Sequence, residues 1–154
     1  MFVSVFPGVL GWRMRRLFFG RSVALGKNVM IDEFVRIDHP TNLAVGSNSF
    51  IGRGTFINAA GGVRIGSDVL IGPGVKIWSA DHQFYSREIP IRAQGHAASP
   101  VVIGDDVWIG VDSVVLRGTT IGKGSVIAAG SVVTKDIAEF QIVAGVPAKV
   151  IGQR

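Results

Sequence analysis

Three histidines, His39, His82 and His96, are the side chains of this chain that exchange protons near neutral pH. His82 ends the run Trp78-Ser79-Ala80-Asp81-His82, where an otherwise regular pattern breaks off and a loop begins. An imidazole held there can act as a general base and remove the proton of an attacking hydroxyl. Asp81, Glu88 or a backbone carbonyl could hold its other ring nitrogen and fix the tautomer, and the sequence does not choose among them. His39 precedes Pro40 at a predicted corner and His96 lies among small residues, so both read as structural or exposed. The chain has no cysteine, which excludes a disulfide framework, a thiolate metal site and a cysteine nucleophile.

The pattern that positions His82 has a period of six. Leu25, Ile31 and Ile37 form one triplet, Val45, Ile51 and Ile57 the next, and Ile65, Ile71 and Ile77 a third. After a break from Ser79 to Pro100 the repeat resumes at Ile103, Ile109, Val115, Ile121, Ile127 and Val133. A small or polar residue, often glycine, usually follows the aliphatic one. No helix keeps one face apolar at that spacing, whereas short β-branched strands separated by tight turns do. Three hexads per turn of chain predict an all-β triangular prism. The early coils carry extra corner residues around His39-Pro40 and Gly61-Gly62, and residues 79–100 read as one long loop insertion, a place where function concentrates.

This repeat resembles the hexapeptide-repeat acyltransferase family, over roughly residues 25 to 152. The resemblance implies a left-handed parallel β-helix, the hand being taken from the family because spacing cannot give it. From Val101 onward the chain is similar to the C-terminal half of galactoside and maltose O-acetyltransferases. It implies acetyl-CoA as co-substrate, bound in a groove between two prisms of a homotrimer, and His82 as catalytic base. It also implies that Trp108 flanks that groove near His82, with Val111, Ala129 and Thr134 lining it and Lys149 at the basic position for coenzyme A phosphates. Val111 departs from a serine common in the family, which leaves only its backbone N–H for the donor or an oxyanion. Gly152 replaces a basic residue, leaving Lys149, Lys135 and Arg154 for the phosphates. Asn58, 20 residues before Trp78, is a candidate to bind an acceptor from the coil below, although asparagine at such corners also serves structure. The carbonic anhydrases of this fold need metal-binding histidines on adjacent coils, two of them close in sequence; His39, His82 and His96 lack that pattern, so no metal is expected.

The expected reaction is direct acetyl transfer to a sugar hydroxyl, of a cell-envelope polysaccharide or its precursor. N-acetylation of an amino sugar or inactivation of an antibiotic would use the same base, and a non-enzymatic scaffold is the third reading that the repeat permits. The chain carries 16 basic and 11 acidic residues, and five of the basic ones (Arg13, Arg15, Arg16, Arg21, Lys27) precede the first acid, Asp32. An excess confined to one end argues against a nucleic-acid-binding domain and for a local contact with something anionic. Residues 1–24 are therefore a basic amphipathic segment, and Pro7 to Gly20 predict a short helix with Leu10, Met14, Leu17 and Phe18 along one stripe. It either caps the open prism end or lies at an anionic membrane surface. Met1 to Trp12 is uncharged but too short to span a bilayer and lacks a basic lead, so the expected location is the cytoplasm or the inner membrane face.

Overall fold

The structure, a computed structural model, describes residues 5–154; residues 1–4 of the predicted basic segment lie outside the described residues. After one helix, α1 (Gly8–Phe19), the chain winds into a mostly parallel β-solenoid of about six turns, a left-handed β-helix. The three hexads of each coil become three short strands, and like strands of successive coils stack in register into three faces of five, seven and five strands. On the second face Met30 pairs with Phe50, Phe50 with Leu70, Leu70 with Trp108, and Trp108 with Val126. The alternate residues Ile31, Ile51, Ile71, Ile109 and Ile127 point inward and are buried. All 15 repeat aliphatics identified from the sequence lie on these ladders, Leu25 and Ile37 at their partly covered edge. Each inward isoleucine stabilises the prism by about 1.5–3 kcal/mol through burial.

Corners are made where the backbone turns left-handed. Asn28, Asn48, Asp68 and Asp106 take positive φ at the same corner of four coils, and Asn28 and Asn48 each donate a side-chain hydrogen bond to the next residue of the ladder. Asparagine and aspartate tolerate that conformation better than other residues with a Cβ. The second corner is filled by Phe34, then Gly54, Gly74, Asp112 and Gly130, all at positive φ. All extra residues of the early coils fall at the third corner, where His39 and the 3-10 turn Pro40–Asn42, then Gly61-Gly62, then residues 79–100 interrupt the winding.

Both ends are closed, by different means. Met30 and Asp32 donate to the second coil, so the intervening peptide of Ile31 faces the open end with no coil beneath it. The buried guanidinium of Arg15 meets that need: Nε donates to the Ile31 carbonyl at 2.6 Å and Nη1 to the Phe6 carbonyl at 2.7 Å. Charged donors of this kind contribute about 1.5–3 kcal/mol. Gly11 sits on the same inner side, where a Cβ would overlap the Phe6 carbonyl. The helix thus covers the end with Gly11 and Arg15, while Leu10, Leu17 and Phe18 of the predicted apolar stripe are exposed. At the far end Lys149–Gln153 folds back antiparallel on Gln141–Ala144, a reversal that the hexad spacing does not announce. No helix among the described residues is long and apolar enough to cross a membrane.

Candidate active site

The third corner builds the site. Asp38, Asn58 and Trp78 end the third-face strands of the first three coils and lie in register. Phe56 packs edge-on against Trp78 at 4.9 Å and carries the Arg36 guanidinium on its ring at 4.7 Å. Buried Ser79 locks the corner, donating to the Asn58 carbonyl at 2.7 Å and accepting the Gly61 N–H at 2.9 Å. From that anchor the insertion leaves the prism as an antiparallel ribbon of Ala80–His82 against His96–Ala98. The chain runs out and returns at one place, so the next coil resumes in register, with Val101 beside Val63.

On this ribbon His82 is exposed, and it faces His96 directly across the rung, the ring centroids 4.4 Å apart. His39, held at a φ of 57° in the first coil, lines the same cleft. With Asn58, Trp78 and Asp81, the three histidines surround a volume of 490 Å³. His39 and His96 are both exposed, as expected, and both also line the cleft that holds the candidate base. Register across the ribbon and the turn at His39 create this proximity, and neither leaves a periodic signal. No cluster of three side chains placed to hold a metal ion occurs among the described residues.

The tautomer candidates divide in the same way. Neighbouring residues of a strand point to opposite faces, and Asp81 turns away from His82 to pair with Arg117 Nε at 2.9 Å. Arg117 belongs to the next coil, so this pair ties the ribbon to the prism. Among the described residues neither ring nitrogen of His82 makes a hydrogen bond, and Glu88 does not line the cleft. Asn58 spends its Oδ1 on the Ala60 N–H at 3.0 Å, so what it offers a ligand is its amide NH2.

The donor candidates sit elsewhere on the prism. Trp108 projects from the second face, 54% exposed, beside a hollow shared with Leu70, Val126 and Arg154. Val111 and Ala129 stack at the second corner, where Gly130 N–H donates to the Val111 carbonyl at 2.8 Å. The Val111 N–H enters no hydrogen bond of the coil-to-coil ladder among the described residues. Thr134 is at the third corner, two coils beyond Trp78, and Lys149 opens the returning C-terminal strand. Arg154 is already engaged, donating to Asp106 Oδ2 at 2.8 Å, which leaves Lys149 and Lys135 as the free cations of that region's three candidates. None of these donor candidates lines the cleft of His82 within one prism.

Residues 43–78 and 100–135 match the family described as hexapeptide repeat of succinyl-transferase. The structure superposes on a maltose O-acetyltransferase from Clostridium difficile 630 with a TM-score of 0.90 and 31% identity, covering 99% of this chain and 80% of that one. It superposes on a hexapeptide-repeat-containing acetyltransferase from Vibrio cholerae, solved with acetyl coenzyme A, with a TM-score of 0.86 and 30% identity, covering 98% of this chain and 80% of that one. A 57-residue stretch, 37% of the chain, is 54% identical to part of a 2,3,4,5-tetrahydropyridine-2,6-dicarboxylate N-acetyltransferase of Staphylococcus aureus. The chain spans about a quarter of the length of the curated relatives it matches. It belongs to the hexapeptide-repeat acetyltransferase family.

Proposed function

We propose that the chain transfers an acetyl group from acetyl-CoA to a hydroxyl of a sugar, in a cell-envelope polysaccharide or its precursor. The observation that carries this reading is the exposed His82 ring, set on a ribbon anchored to the prism and lining a cleft that Asn58 also lines. The acceptor hydroxyl attacks the thioester carbonyl while His82 takes its proton, giving a tetrahedral oxyanion. Collapse of that oxyanion breaks the C–S bond, and the imidazolium returns the proton to the departing thiolate, leaving ester and free coenzyme A. An unused N–H such as that of Val111 is the kind of donor that stabilises the oxyanion. The remaining rate gain comes from holding both substrates in line.

The donor site is composite in this reading. Trp108, Val111 and Ala129 of one protomer face the His82 cleft of the next across a homotrimer, with Lys149 toward the phosphates. Supporting it is the second face, whose outward ladder Met30, Phe50, Leu70, Trp108, Val126 and Ile142 is apolar throughout, Leu70 and Trp108 being more than half exposed. A contiguous apolar surface of this kind marks an interface.

Transfer to an amine is the second reading, favoured by the match to an N-acetyltransferase over 57 residues. A thiol-release assay across sugar hydroxyl and amino-sugar acceptors separates the two. Turnover with hydroxyl acceptors and not with their amino counterparts is expected, the reverse ranking establishes the amine, and retention of no acetyl-CoA at all removes both.

A further inference from the structure

We propose that α1 and the first coil form a docking surface for an anionic phospholipid bilayer. The helix has two faces of different use. Gly11, Arg15 and Phe19, four residues apart, face the prism, and Arg15 fixes the rotation of the helix by its bond to the Ile31 carbonyl. The opposite face is thereby committed to the outside, and it carries Val9, Leu10 and Leu17 at 61%, 63% and 70% exposure, with Arg13 between them. Arg16 and Arg21 join Arg13 and Leu17 around an open hollow of 390 Å³. Arg16 Nη1 is shut off from solvent and has no hydrogen-bond partner among the described residues.

Phe34 adds an independent observation. It adds a second exposed apolar side chain on the first coil, 58% exposed, at a φ of 57°, in the corner position where three later coils place glycine. A hollow lined by Val9, Arg13 and Arg16 of α1 with Asn28, Val29 and Met30 joins the helix to that coil. A phenylalanine is uncommon in the left-handed region, and residues held there cluster at functional positions.

Charge decides between occupants. No acid precedes Asp32 in the sequence, and Glu33 nearby is taken by Arg53 at 2.7 Å, so the guanidinium groups of this surface are unbalanced. A second copy docked face to face would bring the same cations against themselves. A bilayer with anionic headgroups supplies both missing partners, acyl chains for the aliphatics and phosphates for Arg13, Arg16 and Arg21. The cleft begins at His39 in that same first coil, and the coil bearing His82 is only two strand spacings, about 10 Å, further along the axis. On the acetyl-transfer reading, an acceptor presented at the membrane surface would lie within reach of the base.

The test is cosedimentation of the full chain with vesicles of phosphatidylglycerol mixed into phosphatidylcholine, and with phosphatidylcholine alone. Binding to the mixed vesicles is expected, with loss at high salt and little binding to the neutral ones. Arg13→Gln/Arg16→Gln/Arg21→Gln should weaken partitioning on the order of 100-fold, and Leu10→Ser/Leu17→Ser should also release the protein. Arg15 is retained in both variants so that the cap stays intact, and turnover on a soluble acceptor should be unchanged. Equal sedimentation of parent and variants, binding to neither vesicle, or a parent whose oligomer size falls in both variants would overturn the proposal. Because sedimentation is independent of turnover, these outcomes are read whether or not the acetyl-transfer reading holds.

Discussion

His82 and His96 share one rung of the ribbon, 4.4 Å apart, yet their links to the rest of the site differ. His82 follows Asp81, whose carboxylate is pinned to Arg117, and lies three residues from the buried Ser79 anchor. His96 follows Gly95, at positive φ, on the returning strand. The base of the proposed reaction is therefore expected to be His82, with His96 bounding its motion. His82→Ala should lower kcat by about 100- to 10,000-fold and keep acetyl-CoA binding, whereas His96→Ala should cost about tenfold or less. Thiol-release kinetics with calorimetry of acetyl-CoA binding checks both, and the opposite ranking would move the base to His96. The position of His82 was legible because it stands where the repeat stops, and that of Asn58 because it lies one coil below Trp78. The approach of His39 and His96 was not, since it depends on a left-handed corner and a ribbon register that no period encodes.

Between residue and molecule stand the coils, and the first has another coil on one side and the helix α1 on the other. Its Glu33 carboxylate is buried while the Arg53 guanidinium that pairs with it, at 2.7 Å, remains open to solvent. The hydrogen bond from Arg53 holds the Glu33 carboxyl below its ordinary value of 4.5, and the same pair raises Arg53. A carboxyl lowered in the folded state contributes stability that is fully present above its unfolded pKa and is lost as pH falls through the folded one. Arg53→Gln should thus melt below the parent at neutral pH, and the gap should narrow as pH drops from 4.5 downward. Melting curves at stepped pH decide this, and a gap that stays constant would mean that the pair is not coupled to folding. Strands and corners of this kind were legible because burial repeats every six residues. Arg15 as end cap was not, because a buried cation leaves no mark in a hydrophobic pattern, and the returning strand Lys149–Gln153 lies past the last hexad.

At the scale of the whole molecule the decisive fact is that the two halves of the expected chemistry lie apart on one prism. The His82 cleft opens at the third corner, while Trp108 projects from the apolar second face and Val111 and Ala129 stack at the second corner. If a single chain were the catalytic unit, the donor would have to round an edge of the prism to meet the base; in the threefold assembly proposed above, the second face of one protomer would supply the missing wall of the next. This predicts complementation between two inactive chains. His82→Ala and Trp108→Ala, each alone, should form trimers of poor activity, since every interface then lacks either the base or the donor wall. Unfolding and refolding the two as an equal mixture should restore activity to about a quarter of the parent, because each productive interface needs an intact His82 from one neighbour and an intact Trp108 from the other. The same mixture assembled only from trimers formed beforehand should remain inactive. Light scattering verifies the assembly and thiol release the turnover, and a refolded mixture no more active than the mean of its two parts would place base and donor wall in the same chain.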